Sequence, residues 1–339
     1  CIAERMRNAP VVKNKKVAIP AAKRLPYEPD QRGFTDVFSG HTNRYRATYN
    51  LKGQDVKPTK TLIEKGDRLD IQTDASLAFI DRHKEGPFFL YLAYFAPHVP
   101  LTSTEKYMKR FPGDMPERRR KALSMISAMD DGVGRIRKKL VEHGIDKNTL
   151  IFFISDNGGQ TNKNGSLNDP FAGKKGDLLE GGIRVPFIAR WTGVIPAGSL
   201  LDQPVTTLDV APTAAALAGA LDAPGFDGVD ISAYLSGRSN DLGERELYWR
   251  FGEQRAIRRG PWKYYGYLGE IELLFNLLSD PKEERDVSGE HPAILAELQG
   301  LHRAWEAELV EPLWNVPVNH STRSRALRRR YRLGSAEPK

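Results

Sequence analysis

Residues 149–160 read TLIFFISDNGGQ, an apolar run that turns polar within one residue. Leu150–Ile154 has the length, the β-branched and aromatic content and the lack of alternation of a fully buried strand. Its exit delivers Ser155, Asp156, Asn157, Gly158 and Gly159 in succession. Two readings meet there. A tight strand-to-helix turn uses Asp and Asn to bond nearby backbone and glycines to accept positive φ. A hard-cation site uses adjacent carboxylate and amide oxygens, and open α/β sheets place ligands beyond the carboxyl ends of their strands.

Working outward, residues 117–143 carry Ala122, Ile126, Met129, Val133, Ile136 and Leu140 at alternating spacings of four and three, with Gly144 as a stop. That is the spacing of one apolar helix face. Before it, Phe88–Phe95 reads as a second buried strand, ended by Pro97 and Pro100. Strand, helix, strand predicts a parallel sheet with a crossover helix. Val185–Trp191 predicts a third strand, and Asp209 precedes an alanine-rich helix, VAPTAAALAGA. Beyond residue 240 the runs ELYWRFG, RAIRRGPWKYYGY and IELLFNLL predict short antiparallel strands, closed by an amphipathic helix from Pro292 to Leu309. The expected division is a basic N-terminal segment over 1–30, an α/β domain over 31–235, a small α+β subdomain over 236–312 and a basic tail over 313–339.

The chain has 339 residues, 40% hydrophobic and 28% charged, the balance of a soluble globular protein of more than one domain. Its longest apolar run, Phe88–Ala96, falls short of the ~20 residues needed to cross a bilayer. No signal-peptide pattern opens it. The single cysteine, Cys1, excludes an internal disulfide framework. Two glycosylation sequons begin at Asn164 and Asn319. The net charge of +8 sits at the ends: residues 318–339 hold six Arg and one Lys against one Glu, and residues 1–30 are also basic. The body is slightly acidic, so the ends read as solvated segments rather than nucleic-acid arms, and no nucleic-acid partner is expected.

Three polar clusters follow or precede the apolar strands: Ala96-Pro97-His98, Asp156-Asn157 and Lys174-Lys175-Gly176. Singly, each is more often a loop, a turn or a solvated surface. Together they offer a cation site, an imidazole and an ammonium, which suits an oxyanion ester.

The blocks PFFLYLAYFAPHVPL, SMISAMDDGVGRIRKKL, NTLIFFISDNGG, GKKGDLLEGGIRVPFIARWTGVIPAG and VTTLDVAPTAAALAG closely resemble, in order, conserved blocks of the sulfatase family. GVDISAYLSG, AIRRGPWKYY and LLFNLLSDPKEERDV resemble its C-terminal subdomain, so the likeness runs from about Arg32 to Leu309. The resemblance implies an α/β, alkaline-phosphatase-like fold: a mainly parallel sheet sandwiched by helices, with a small C-terminal α+β subdomain. It implies that Asp156 and Asn157 are metal ligands, usually for Ca²⁺, that His98 contacts the ester and protonates the leaving group, and that Lys175 binds a sulfate oxygen. Lys174 is the competitor, but the family places its lysine directly before the glycine.

The family nucleophile is a cysteine in Cys-x-Pro/Ala-x-Arg, oxidised to formylglycine, and Cys1, Ala3 and Arg5 fit that pattern. Pro10-Val11 stand where the family usually has Thr-Gly, and neither the upstream Asp pair nor the Lys-Trp-His segment is found. The expectation is therefore a sulfatase chain lacking the first part of its catalytic domain. In the implied mechanism the hydrated aldehyde displaces the alcohol from sulfur, and its second hydroxyl then expels sulfate by elimination. The implied partner is a sulfated small molecule or sulfated carbohydrate, and the implied location is the periplasm or cell exterior. The alternatives are a phosphodiesterase or phosphonate hydrolase of the same superfamily, and a non-catalytic remnant that binds sulfated ligands.

Overall fold

A computed structural model describes residues 25–41, 43–220, 225–312 and 320–333. The described chain forms two compact units, one of residues 25–150 with 162–166, the other of 151–161 with 167–333. None of the described helices is long and apolar enough to cross a membrane.

The first unit opens with a three-stranded antiparallel sheet: β1 (Phe38–His41), β2 (Arg44–Tyr49) and β3 (Asp55–Ile63). Tyr45, Ala47 and Tyr49 alternate along β2 and are buried, the period-two pattern of a strand with one covered face. Helix α1 (Arg68–His83) begins at Asp67, whose carboxylate accepts from the Leu69 N–H at 2.8 Å. Tyr49 donates from its hydroxyl to the Ala75 carbonyl on that helix.

Helix α2 (Glu117–Glu142) matches the expected span. It ends as read: Gly144 has φ +71°, and Gly144 and Ile145 donate to the Val141 and Leu140 carbonyls. Ala122 and Leu140 of the expected stripe are buried, but between them the covered face is rotated. Met125, Ala128 and Gly132 are covered, whereas Ile126 is exposed. The reason is close approach, because a Cβ on Gly132 would lie 2.4 Å from the Thr73 hydroxyl of α1 and from the Tyr94 hydroxyl.

Phe88–Phe95 joins no ladder among the described residues, a correction to the expected buried strand. Nor is it covered on both sides: Phe88, Leu90, Leu92 and Tyr94 are half-buried, while Phe89 and Tyr91 are 58% and 72% exposed. A glutamine side chain takes the place of a neighbouring strand. Gln72 on α1 donates to the Ala93 carbonyl at 2.9 Å and accepts from the Phe95 N–H at 3.3 Å.

In the second unit β4 (Ile151–Ile154) pairs with β5 (Phe187–Arg190), and the pairing is antiparallel. All ladders among the described residues are antiparallel, so the expected parallel pairing is not formed there. Between β4 and β5 lie only two four-residue helical turns, Thr161–Asn164 and Glu180–Ile183. No long helix carries the chain back along the sheet to start a parallel neighbour. Helix α3 (Val210–Leu217) follows a capping box between Thr206 and Asp209. Asp209, fully buried, also receives both Arg245 guanidinium nitrogens at 2.9 and 2.7 Å.

The C-terminal meander is as expected: β6 (Glu246–Phe251), β7 (Gln254–Arg259), β8 (Trp262–Tyr267) and β9 (Ile271–Asn276), in sequence order. Alternation divides its side chains between two faces. Ile257, Tyr264 and Leu274 pack with Leu298 of α4 (Pro292–Ala307). Ala256, Tyr265, Leu273 and Phe275 pack with Ala172, Leu178 and Leu179 on the other side. That second face also holds Leu327 and Tyr331, the first on α5 (His320–Arg330) and the second just past its end. The basic tail is thus folded over 320–333, not a solvated strand of chain. Each large side chain buried this way contributes about 1.5–3 kcal/mol.

Candidate active site

The strand β4 ends where the sequence reading places the metal ligands. Asp156 is exposed and its carboxylate has no hydrogen-bond partner among the described residues. Asn157 donates to the Gly158 carbonyl at 3.1 Å, which leaves its side-chain oxygen free to accept or ligate. The two glycines that follow do not serve positive φ. Gly158 serves contact: a Cβ on it would lie 1.9 Å from the Gly181 carbonyl oxygen, and its N–H donates to the Gly182 carbonyl at 2.9 Å.

That contact brings the second predicted element into place. Residues 172–182 form a loop against the Asp156–Gly159 turn, and the Lys175 N–H donates to the Gly159 carbonyl at 3.2 Å. Asn168 staples the two, accepting from the Gly159 N–H at 2.8 Å and donating to the Gly159 and Gly173 carbonyls. Lys174 and Lys175 are both half-buried, and neither ammonium has a hydrogen-bond or ionic partner among the described residues. Backbone bonding thus holds a loop with two unpaired ammoniums against a turn with a carboxylate and a carboxamide, a set of groups that suits an anion and a hard cation.

The loop is held from below by the C-terminal sheet. Gln254, 1% exposed, accepts from the Leu178 N–H at 3.1 Å and donates to the Gly176 carbonyl at 2.8 Å. Lys263 on β8 is fully buried, with its ammonium 2.8 Å from both Glu180 and Glu283. Glu283 also accepts from the Glu180 N–H at 2.6 Å. Burial pushes the Glu283 carboxyl above its ordinary range, opposed by Lys263 and reinforced by Glu180. Arg323 on α5 completes the support, donating to the Gly176 carbonyl at 3.2 Å and to the Asp177 carboxylate.

Sequence reasoning missed Asn168, Gln254, Lys263 and Arg323. Their partners lie far along the chain, except for Asn168, and no local spacing marks them.

His98 belongs to the other unit. It is exposed, and its Nδ1 lies 2.5 Å from the Val99 carbonyl. A carbonyl only accepts, so Nδ1 carries the proton and Nε2 is left available. Asn164, the first sequon residue, is buried in the same unit. It donates to the Pro97 carbonyl at 3.3 Å and accepts from Ser166, which occupies its amide with the His98 turn. Cys1 lies outside the described residues.

As a cation site, Asp156 and Asn157 fit in kind, with carboxylate and carboxamide oxygens, and supply two of the six to eight ligands that Ca²⁺ takes. Among the described residues there is no cluster of three or more His, Cys, Asp or Glu around a shared centre.

The profile of the Sulfatase family matches residues 13–220. The chain belongs to the sulfatase family. It is 32% identical over 180 residues to arylsulfatase D of Homo sapiens, covering 50% of this chain and 28% of that protein. It is 30% identical over 275 residues to a sulfatase of Formosa agariphila, covering 70% of this chain and 49% of that one. The sulfatase chain thus spans half or less of the length of these curated relatives.

Among solved structures it resembles Ps i-CgsB in complex with k-i-k-neocarrahexaose, with a TM-score of 0.75 and 30% identity over 90% of this chain and 72% of that one. The fold class is accordingly the expected α/β, alkaline-phosphatase-like one, with an antiparallel C-terminal subdomain. The family generally uses a metal and a formylglycine.

Proposed function

We propose that this chain hydrolyses a sulfate ester of a carbohydrate, or forms the part of a larger sulfatase that recognises it. The reading is supported by the backbone bond that holds the Lys175 loop against the turn carrying Asp156 and Asn157, with the Lys175 ammonium unpaired among the described residues. The carbohydrate class is supported by Ps i-CgsB, whose structure holds a neocarrahexaose.

In this reading residues 31–235 form the catalytic domain and 236–312 the small subdomain that braces the lysine loop. Lys175 meets a sulfate oxygen as charge develops. Asp156 and Asn157 hold Ca²⁺, which when bound would polarise the same sulfate group. His98 is the general acid, as an imidazolium whose Nδ1–H is held by the Val99 carbonyl and whose Nε2–H is given to the leaving oxygen. Cys1 is the formylglycine position, a role that mass spectrometry for an aldehyde at that residue tests directly.

The deciding experiment contrasts two neighbours. With aryl sulfate as substrate, Lys175→Ala is expected to lower kcat/KM by about 10²–10³, the usual cost of one preorganised donor. Lys174→Ala is expected to stay within about threefold. In a form without turnover, the same contrast is read from sulfate affinity by calorimetry. Equal behaviour of the two variants, both folded by circular dichroism, removes Lys175 from the site. A preference for aryl phosphate diesters over aryl sulfates overturns the reaction class.

A further inference from the structure

The helix α5 has two unlike faces. Arg323 and Leu327, one turn apart, point to the body: the first bonds the Gly176 carbonyl and the Asp177 carboxylate, the second is buried against the C-terminal sheet. At about 100° per residue, Arg325 and Arg329 fall on the opposite side, one turn and about 6 Å apart along the axis. Both are exposed, as is Arg332 just past the helix end, and none of the three has an ionic or hydrogen-bond partner among the described residues. Their basic neighbours on the helix are engaged. Arg328 reaches Glu270 at 3.4 Å, and Arg330 reaches the Lys282 carbonyl and the Tyr331 hydroxyl.

A solvated basic helix would not need the buried anchors Leu327 and Tyr331. Nor would it need a guanidinium bonded to the loop that carries Lys174 and Lys175. The anchors fix Arg325 and Arg329 on one side of the helix, with Arg332 just past its end, a repulsive arrangement that a polyanion relieves.

We propose that the outer face of α5 with Arg325 and Arg329, continued by Arg332 just past the helix end, is an accessory binding surface for a sulfated polysaccharide chain. It engages sulfates other than the one held by the lysine loop. The occupant is argued from charge complementarity and from the direct bonds that tie this helix to the loop read as the sulfate site. The inference rests on that reading of the lysine loop. It predicts that affinity grows with chain length, because each added sulfate within reach releases further counterions from the arginine row.

The test uses the full chain and two probes, a carrageenan hexasaccharide and galactose 4-sulfate. Affinity is measured by calorimetry at about 50 and 200 mM NaCl, a range over which polyanion binding weakens steeply. The expected result for Arg325→Gln/Arg329→Gln/Arg332→Gln is at least about tenfold weaker hexasaccharide binding with a shallower salt dependence. Galactose 4-sulfate should bind the variant and the wild type alike. Glutamine keeps the helix propensity, and an unchanged melting curve confirms the fold.

A wild-type chain that binds the monosaccharide but gains nothing from the hexasaccharide overturns the accessory surface and leaves the lysine-loop reading standing. A wild-type chain that binds neither overturns both. Equal losses for both probes in the triple variant, or a single-stranded DNA of equal charge binding as tightly as the hexasaccharide, also overturn the proposal. The last outcome would assign the helix to nucleic acid.

Discussion

Gly158 has no room for a methyl group, because the Gly181 carbonyl oxygen already stands where a Cβ would go, at 1.9 Å. Gly158→Ala must therefore push the turn and the loop apart, and overpacking of this kind typically costs about 1–3 kcal/mol. The contrasting change is Gly134→Ala on α2, where a Cβ meets nothing and the backbone is helical. That variant is expected to gain about 0.5–1 kcal/mol from helix propensity. Urea denaturation of both variants checks the pair, and stabilisation by the first would remove the contact argument. Lys263 is the second decisive residue. Lys263→Met leaves Glu180 and Glu283 buried without their ammonium, and breaking a buried pair from one side costs about 3–5 kcal/mol. A melting curve like that of the wild type would mean the two carboxylates are already neutral or hydrated. Asp156, Asn157, His98 and Lys175 could be named in advance because motifs mark them. Lys263 could not, because its partner Glu180 lies 83 positions away.

At the scale of elements, period and stop signals were reliable where the helix or strand carries its own pattern. The span of α2, its glycine stop and the four strands of the meander were all legible in the order of residues. The segment Phe88–Phe95 was legible as an apolar run ended by prolines, but not as unpaired and half-exposed, since a ladder and its burial depend on what lies alongside. Gln72 fills that place for two backbone groups. Gln72→Leu keeps the side-chain bulk and leaves the Phe95 N–H and the Ala93 carbonyl without it. The expected cost is about 1–3 kcal/mol. Hydrogen exchange at the Phe95 amide should speed up accordingly, and protection equal to the wild type would contradict the role given to Gln72. The direction of β4 against β5 escaped the sequence for the same reason. A strand's direction relative to its neighbour is set by the connection between them, and the connecting residues 155–186 carry no strong period.

Across the whole molecule, acid should weaken the fold in two steps. Burial holds the His302 imidazole below its ordinary pKa, against the Trp249 carbonyl bond and the Glu306 carboxylate, which favour the proton. The unfolded chain then binds a proton at that residue near pH ~6.5 while the folded chain does not, so stability falls as pH drops below that value. Asp36 acts lower. Burial alone would raise its carboxyl, but the bonds from His83 and Arg82 outweigh it and hold the group below the ordinary range. Its contribution is complete above pH ~4 and is lost as pH falls through the folded value. Melting temperatures from pH 8 to pH 3 should show both limbs. His302→Phe should flatten the upper one and Asp36→Asn the lower one, and a wild-type profile flat down to pH 5 would contradict the first assignment. The sequence by itself determined the family, the span of α2 and the meander, and marked four motif residues as candidates, because these rest on short-range patterns of side-chain type. Only the tertiary structure decided that the glycines of the turn and loop are there for backbone contact. It alone placed a buried lysine and a tail arginine under the same loop and folded the basic tail against the sheet. Those outcomes depend on which distant segments share a surface, and burial and charge pairing settle that only once the chain has closed on itself.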